Sequence, residues 1–154
     1  MSAYKILFVC LGNICRSPMA EYVCRHIAEE SGIGHRIQTD SAGTSGWHNG
    51  ENMHRGTLAA LQKHNISTQG FISSQVKQSD FAEYDFLVAM DDNNLADLEK
   101  LFGLHPDKIF KLTDLIPESG YQMVPDPWYT GDFDETYHLV KTGSEALLRK
   151  LKLI

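Results

Sequence analysis

The stretch YKILFV at residues 4–9 is apolar at consecutive rather than alternating positions, and YDFLVAM at 84–90 repeats the pattern. A strand with one wet face alternates apolar and polar residues. A strand-length run without alternation, closed by turn residues, reads as a strand covered on both faces. Weaker strand candidates, RIQTDS (36–41) and KIFKLT (108–113), are entered from turns containing glycine or proline. Between them the period becomes helical. Met19, Val23 and Ile27 recur at four-residue spacing with Ala20 and Ala28 beside them, and the glycines of SGIG (31–34) stop that helix near Ser31. Further helices fit RGTLAALQKHN (55–65), NNLADLEKLFG (93–103) and a C-terminal stretch from about Phe133 to Leu153. Strands buried on both faces and alternating with helices predict an α/β fold: a single-domain, open, four-stranded parallel sheet flanked by helices on both faces. At 154 residues, with no internal repeat and no linker, the chain suits one domain spanning 1–154.

The formal net charge of -6, with no run of lysines or arginines, argues against a broad nucleic-acid or anionic-membrane surface. Any anion must be caught locally. The apolar run Ile6 to Leu11 is too short for a signal-peptide core and ends in Gly12, Asn13, Cys15 and Arg16 rather than a small-residue cleavage site. No segment approaches the roughly 20 apolar residues of a membrane span, so a cytoplasmic protein is expected. Three cysteines cannot form a disulfide framework, and a reducing compartment keeps them as thiols. Cys24 falls within the first predicted helix as a small buried residue. Cys10 and Cys15 lie together just behind the first strand and need a different account.

Ser17 followed by Pro18 is a helix-start signature: the serine can cap an orphan N–H, and proline suits the first helical position. The helix is therefore predicted from Pro18. Residues Cys10 to Ser17 become a tight loop from the carboxyl end of a strand to a helix N-terminus, where unpaired N–H groups and the helix dipole favour an anion. Gly12 and Asn13 best tolerate the positive φ that a curled loop requires. Arg16, expected at the rim, has a planar guanidinium that grips two phosphate oxygens at once. The same field favours the thiolate of Cys10, so nucleophile and anion site coincide. Cysteine, five residues, arginine, serine is what transfer of a phosphate monoester through a cysteinyl phosphate requires, with no metal and no cofactor. The bland alternative is a buried Cys10 and a solvent-facing Arg16. A metal clip from Cys10 and Cys15 lacks a second pair of ligands nearby. The long connections at 42–54 and 114–131 exceed ordinary loops, and such loops are often functional.

The segment VCLGNICRSPMAE resembles the signature of the low-molecular-weight protein tyrosine phosphatases, and DSAGTSGW, VAMDDNNLADL and PDPWY follow in that family's order across nearly the whole chain. The resemblance implies that Cys10 is the nucleophile, and that Arg16 with the loop backbone of Leu11, Gly12, Asn13, Ile14, Cys15 and Arg16 binds phosphate. In PDPWYTGDF, Asp126 stands between two prolines that restrict its backbone. It resembles the family's proton donor, acting as acid on the leaving oxygen and then as base toward water. Asn13, Ser17 and Ser41 match positions that hold the cradle in shape, although turn or cap chemistry would account for them equally. Trp47, Trp128 and Tyr129 match the aromatic walls of a deep slot suited to a planar phosphotyrosine. His48 either meets Asp126 or phosphate or is a solvated loop histidine. Cys15 is either a redox partner that captures oxidised Cys10 as a disulfide or a small loop filler.

The implied partners are phosphotyrosine-containing protein substrates, with no nucleic acid and no membrane, and a monomer is favoured. One departure matters: where relatives often carry a histidine followed three residues later by Arg before Gln, this chain reads Phe71, Ile72, Ser73, Ser74, Gln75. A hydrogen bond to the cradle is expected to be missing, at the expense of loop stiffness. An arsenate reductase on this scaffold needs further cysteines near 80–90, where the chain has DFAEYDFLVAM. A protein arginine phosphatase is closer, but those relatives tend to have Thr where Ile14 stands. A phosphopeptide-binding module would not need a thiolate and a proton donor together, and a dithiol redox protein gives Asp126 no role.

Overall fold

The computed structural model describes residues 3–154. Four strands, β1 (Tyr4–Cys10), β2 (Ile37–Gly43), β3 (Phe86–Ala89) and β4 (Ile109–Lys111), form one sheet in the order β2-β1-β3-β4. Every pairing is parallel. Six helices join them: α1 (Arg16–Glu30), α2 (Arg55–Lys63), α3 (Asp80–Glu83), α4 (Asp92–Phe102), α5 (Pro127–Thr130) and α6 (Phe133–Lys150). Among the described residues, no helix is long and apolar enough to cross a membrane.

The strand pleat divides the core, because successive side chains point to opposite faces. Ile6, Phe8 and Cys10 of β1 with Val88 of β3 join Met19 and Val23 of α1, Leu61 of α2, and Leu139 and Leu147 of α6 in one cluster. Leu7, Val9, Leu87 and Ala89 face the other way and pack with Leu98 of α4. The two unbroken apolar runs thus become the two central strands with helices on both faces. Register then sets the site: Cys10 pairs with Gly43 and Val9 with Ala89, so the carboxyl ends of three strands lie side by side.

Element boundaries differ from the sequence expectation in instructive places. α1 begins at Arg16, with Cys15 in the N-cap position and no side-chain cap, rather than at Pro18 with Ser17 as the cap. The hydroxyl of Ser17 is instead engaged with Cys10 and Asn13. Pro18 still fits, since the first four helical N–H groups have no partner within the helix. β4 stops after three residues because the chain tightens into a 3₁₀ turn at Leu112–Leu115. The segment 114–131 is no plain loop: it carries a second 3₁₀ turn, Pro117–Ser119, and α5.

Candidate active site

Residues 10–17 curl from the end of β1 into the first turn of α1. Asn13 takes φ 56, the left-handed conformation that asparagine tolerates best after glycine. Gly12 does not share it, contrary to expectation; its bare backbone matters because a Cβ there would stand 3.0 Å from His48 Cδ2. The loop's carbonyls are tied outward. Cys10 O accepts from Thr44 N, Leu11 O from Ser45 N, Ile14 O from His54 N, and Cys15 O from Met19 N. Asn13 O accepts from Ser73 Oγ at 2.7 Å. Among the described residues, the N–H groups of Gly12, Asn13, Ile14 and Cys15 donate to no protein acceptor, and the first turn of α1 adds its own orphan donors. A ring of free donors at a helix N-terminus is an anion site.

Cys10, Leu11, Gly12, Ile14, Cys15 and Arg16 line a cavity of about 170 Å³, with Trp47, His48, Asp126, Trp128 and Tyr129 completing it. Cys10 and Arg16 are almost fully buried, whereas Trp47, Trp128 and Tyr129 are exposed, so the sulfur and guanidinium form the floor and the aromatics the mouth. Arg16 is therefore not at the rim. Its Nη1 donates to Asp91 Oδ2 at 2.7 Å and to Val124 O at 3.0 Å, which pull it inward. Its Nη2 lies 3.5 Å from Asp126 Oδ2. Burial pushes the guanidinium down, but Cys10, Asp91 and Asp126 outweigh it and hold Arg16 above its ordinary value, permanently charged. Asp126 caps α5 through a bond from Trp128 N to its Oδ1 at 3.0 Å, which fixes the Asp126 turn and its aromatic neighbour together.

Of the other expected site residues, Ser17 and Asn13 are fully buried behind the loop rather than in the cavity. Ser17 Oγ lies 3.0 Å from Cys10 Sγ, and Asn13 Nδ2 donates to Ser17 Oγ at 2.8 Å and to Ser41 Oγ at 3.0 Å. His48 pairs with Glu51 at 3.1 Å through Nδ1. Cys15 is buried, and desolvation together with the charges of Cys10 and Asp126 pushes its thiol up to about 12. The tether expected to be missing is present in another form: Ser73 Oγ holds Asn13 O, and Ser74 N donates to Asn13 Oδ1 at 2.9 Å.

The sequence model described as "Low molecular weight phosphotyrosine protein phosphatase" matches residues 5–153. The chain belongs to that family. Within it, the "Low molecular weight protein-tyrosine-phosphatase YfkJ" of Bacillus subtilis is 43% identical over 149 residues, 96% of each chain. The crystal structure of that YfkJ superposes with a TM-score of 0.95 at 42% identity, covering 99% of this chain and 96% of the other. A Drosophila arginine phosphatase aligns with a TM-score of 0.88 at 30% identity over 96% of this chain and 98% of its own. As a member of the low molecular weight phosphatases the chain is an enzyme, a phosphatase of phosphoproteins.

Three residues of this phosphatase site escape a reading of the sequence. Asp91 caps α4 and also grips Arg16. A cap aspartate directly after an apolar strand, on the same sheet edge as Cys10, was a usable signal. His54 accepts from Gly56 N at 2.9 Å to cap α2, stacks on Phe133 with ring centroids 5.1 Å apart, and meets Trp128 edge-on at 5.6 Å. It braces the aromatic wall from behind. Ser73 lies in the stretch where the tether to the cradle was expected to be missing, and a serine there carries no signal of its own that it supplies one.

Proposed function

We propose that residues 1–154 act as one domain that hydrolyses phosphotyrosine monoesters on proteins through a cysteinyl-phosphate intermediate. The observation that carries the reading is the shared cavity floor, where Cys10 and Arg16 lie beneath a ring of undonated N–H groups with Asp126 3.5 Å from the guanidinium. Cys10 sulfur attacks phosphorus while the bond to the aryl oxygen breaks, and Asp126 gives its proton to the departing oxygen. The loop N–H groups of residues 11–16 and Arg16 hold the three equatorial oxygens. Water then attacks the same phosphorus, Asp126 takes its proton, and the sulfur–phosphorus bond breaks to release phosphate and the thiolate. No metal enters either step. Trp47, Trp128 and Tyr129 at the mouth fit a planar aryl group, and the apolar Ile14 in the wall favours it over a charged guanidinium. Thiol catalysis and three unpaired cysteines suit a reducing cytoplasm.

Acid quenching of a turnover mixture is expected to leave phosphorus on Cys10. Cys10→Ser should lower kcat by about 10⁴-fold or more, and Asp126→Asn by about 10²–10⁴-fold on phenyl phosphates, less as the leaving group improves. Full turnover by Cys10→Ser would end the proposal. The solved arginine phosphatase neighbour supports a second reading, and competition between phosphotyrosine and phosphoarginine peptides separates the two.

A further inference from the structure

Three aromatic residues frame the mouth of the cavity, and they are not equally held. Trp47 and Tyr129 are 77% and 80% exposed, and neither has an aromatic neighbour among the described residues. Trp128 stands on α5, which is one turn long and fixes the tryptophan backbone through Asp126 but not the indole. Two histidines meet that indole. His48 lies 6.3 Å away with its ring tilted by 48°, and its Nδ1 is tied to the exposed Glu51. His54 lies 5.6 Å away at 76°, within the range and the edge-on orientation that aromatic rings prefer.

His54 is itself fixed at three points. Its backbone N–H donates to Ile14 O at 2.8 Å, and its Nδ1 accepts from Gly56 N at 2.9 Å. The flat of its ring lies on Phe133, with centroids 5.1 Å apart and planes 20° from parallel. Phe133 cannot retreat, because it is pressed against bare backbone of α2: a Cβ on Gly56 would stand 2.4 Å from its Cε2 and Cζ. The bond to Ile14 ties this brace to the cradle, since Ile14 supplies one of the free donors. One residue therefore touches the phosphate cradle with its backbone and the aromatic wall with its ring.

We propose that His54 is a positioning residue that determines specificity: its ring holds the Trp128 wall in register with the phosphate cradle and so favours aryl over alkyl esters of phosphate. The inference rests on Trp128 lining the slot, as in the function proposed above. A phosphoryl group seated in the cradle carries its ester oxygen, and the group beyond it, at a depth set by bond lengths. A planar ring at that depth gains full contact only from a wall held at a matching place and angle. A thin, flexible alkyl chain gains less from a fixed plane. Capping α2 does not by itself call for an imidazole, because aspartate, asparagine and serine are the preferred acceptors at that position. What His54 adds to the cap is a flat ring, stacked on one side and edge-on to Trp128.

His54→Asn separates the two roles, since asparagine caps α2 and carries no ring. Competitive inhibition by phenylphosphonate reads the slot, and inhibition by inorganic phosphate reads the cradle alone. In His54→Asn the inhibition constant of phenylphosphonate is expected to rise about three- to tenfold, the size of one aromatic pair, while that of phosphate stays at the parent value. KM for a phosphotyrosine peptide should rise likewise, and kcat should change less, because the wall holds nothing once the aryl alcohol has left. His54→Phe restores a ring without the acceptor, and should return phenylphosphonate binding to near the parent value while lowering the thermal midpoint. Phe133→Leu removes the plate beneath His54 and should weaken phenylphosphonate in the same direction; it decides the matter if His54→Asn does not fold. In a Trp128→Ala background the effect of His54→Asn should vanish. Parent-like phenylphosphonate binding by His54→Asn, an equal loss of phosphate binding, or a full effect persisting without Trp128 overturns the role of His54. If Trp128→Ala itself binds phenylphosphonate as the parent does, the slot reading falls, and this inference with it.

Discussion

Cys10 and Cys15 share one loop and one cavity, yet their surroundings differ in chemical consequence. With its thiol pushed up to about 12, Cys15 has a thiolate fraction of about 10⁻⁴ at pH 8, so iodoacetamide at that pH should label Cys10 and leave Cys15 untouched. The sign follows from the causes. Desolvation disfavours the charged form, the negative charges of Cys10 and Asp126 add to it, and Arg16 opposes them. Oxidation of Cys10 to a sulfenic acid removes one of those charges, and the neighbouring thiol becomes easier to ionise. Its sulfur can then displace water from the sulfenic acid and form a disulfide. In Cys15→Ser, inactivation by peroxide is expected to become irreversible by dithiothreitol, while the parent recovers. Equal recovery of both proteins would leave Cys15 as loop filling. The loop's residue types were enough to locate the cavity from sequence, but the sequence does not show that Arg16 is drawn down by Asp91 and Val124 rather than lying at the rim.

The elements most legible in the sequence were those whose pattern is set by burial on both sides. β1 and β3 read as unbroken apolar runs because Ile6 to Cys10 and Phe86 to Ala89 each meet one of the two helical layers. α1, α2, α4 and α6 read from their apolar period. α3 and α5 were not legible, since a four-residue helix is too short to display a period; Asp126 caps α5, whereas α3 has no side-chain cap. The junction of β2 with the cradle also escaped. Gly43 ends β2 opposite Cys10, and a Cβ on it would lie 2.8 Å from Leu11 O and 3.0 Å from Ser45 O, both backbone atoms, and 3.2 Å from Asn13 Cβ. Backbone cannot rotate aside as a side-chain tip can, so Gly43→Ala should displace the cradle as a body. Misplacement of reacting groups by an ångström costs about 10²-fold in rate, so kcat/KM should fall by about 10–10²-fold. The far end of the sheet should be unaffected, and circular dichroism should report the same secondary structure. Unchanged kcat/KM would mean that the loop tolerates the push.

At the scale of the whole molecule, the two faces of the sheet are unequally secured, and the site straddles the divide. α1 and α6 bury long apolar stripes against the larger cluster, whereas α4 buries only Asn94 and Leu98, and β4 beside it is a three-residue edge strand. Local opening is drawn from such thinly packed regions, so amide exchange in 92–102 and 109–111 should outpace that in β1, α1 and α6. Arg16 bridges the divide. It belongs to α1, yet its Nη1 holds the cap of α4 through Asp91 and the approach to Asp126 and α5 through Val124 O. A ligand that fixes Arg16 therefore stabilises α4 and the segment 124–130 by linkage, because it binds the closed arrangement and not the open one. Saturating inorganic phosphate is expected to slow exchange at Asn94 and Leu95, whose amides bond to Asp91 Oδ1 and Asp91 O, and in residues 124–130. The outer residues of β2, remote from Arg16, should be unmoved. Protection confined to the cradle, with Asn94 and Leu95 exchanging as before, would show that the two faces open independently and that the Arg16–Asp91 pair does not couple them.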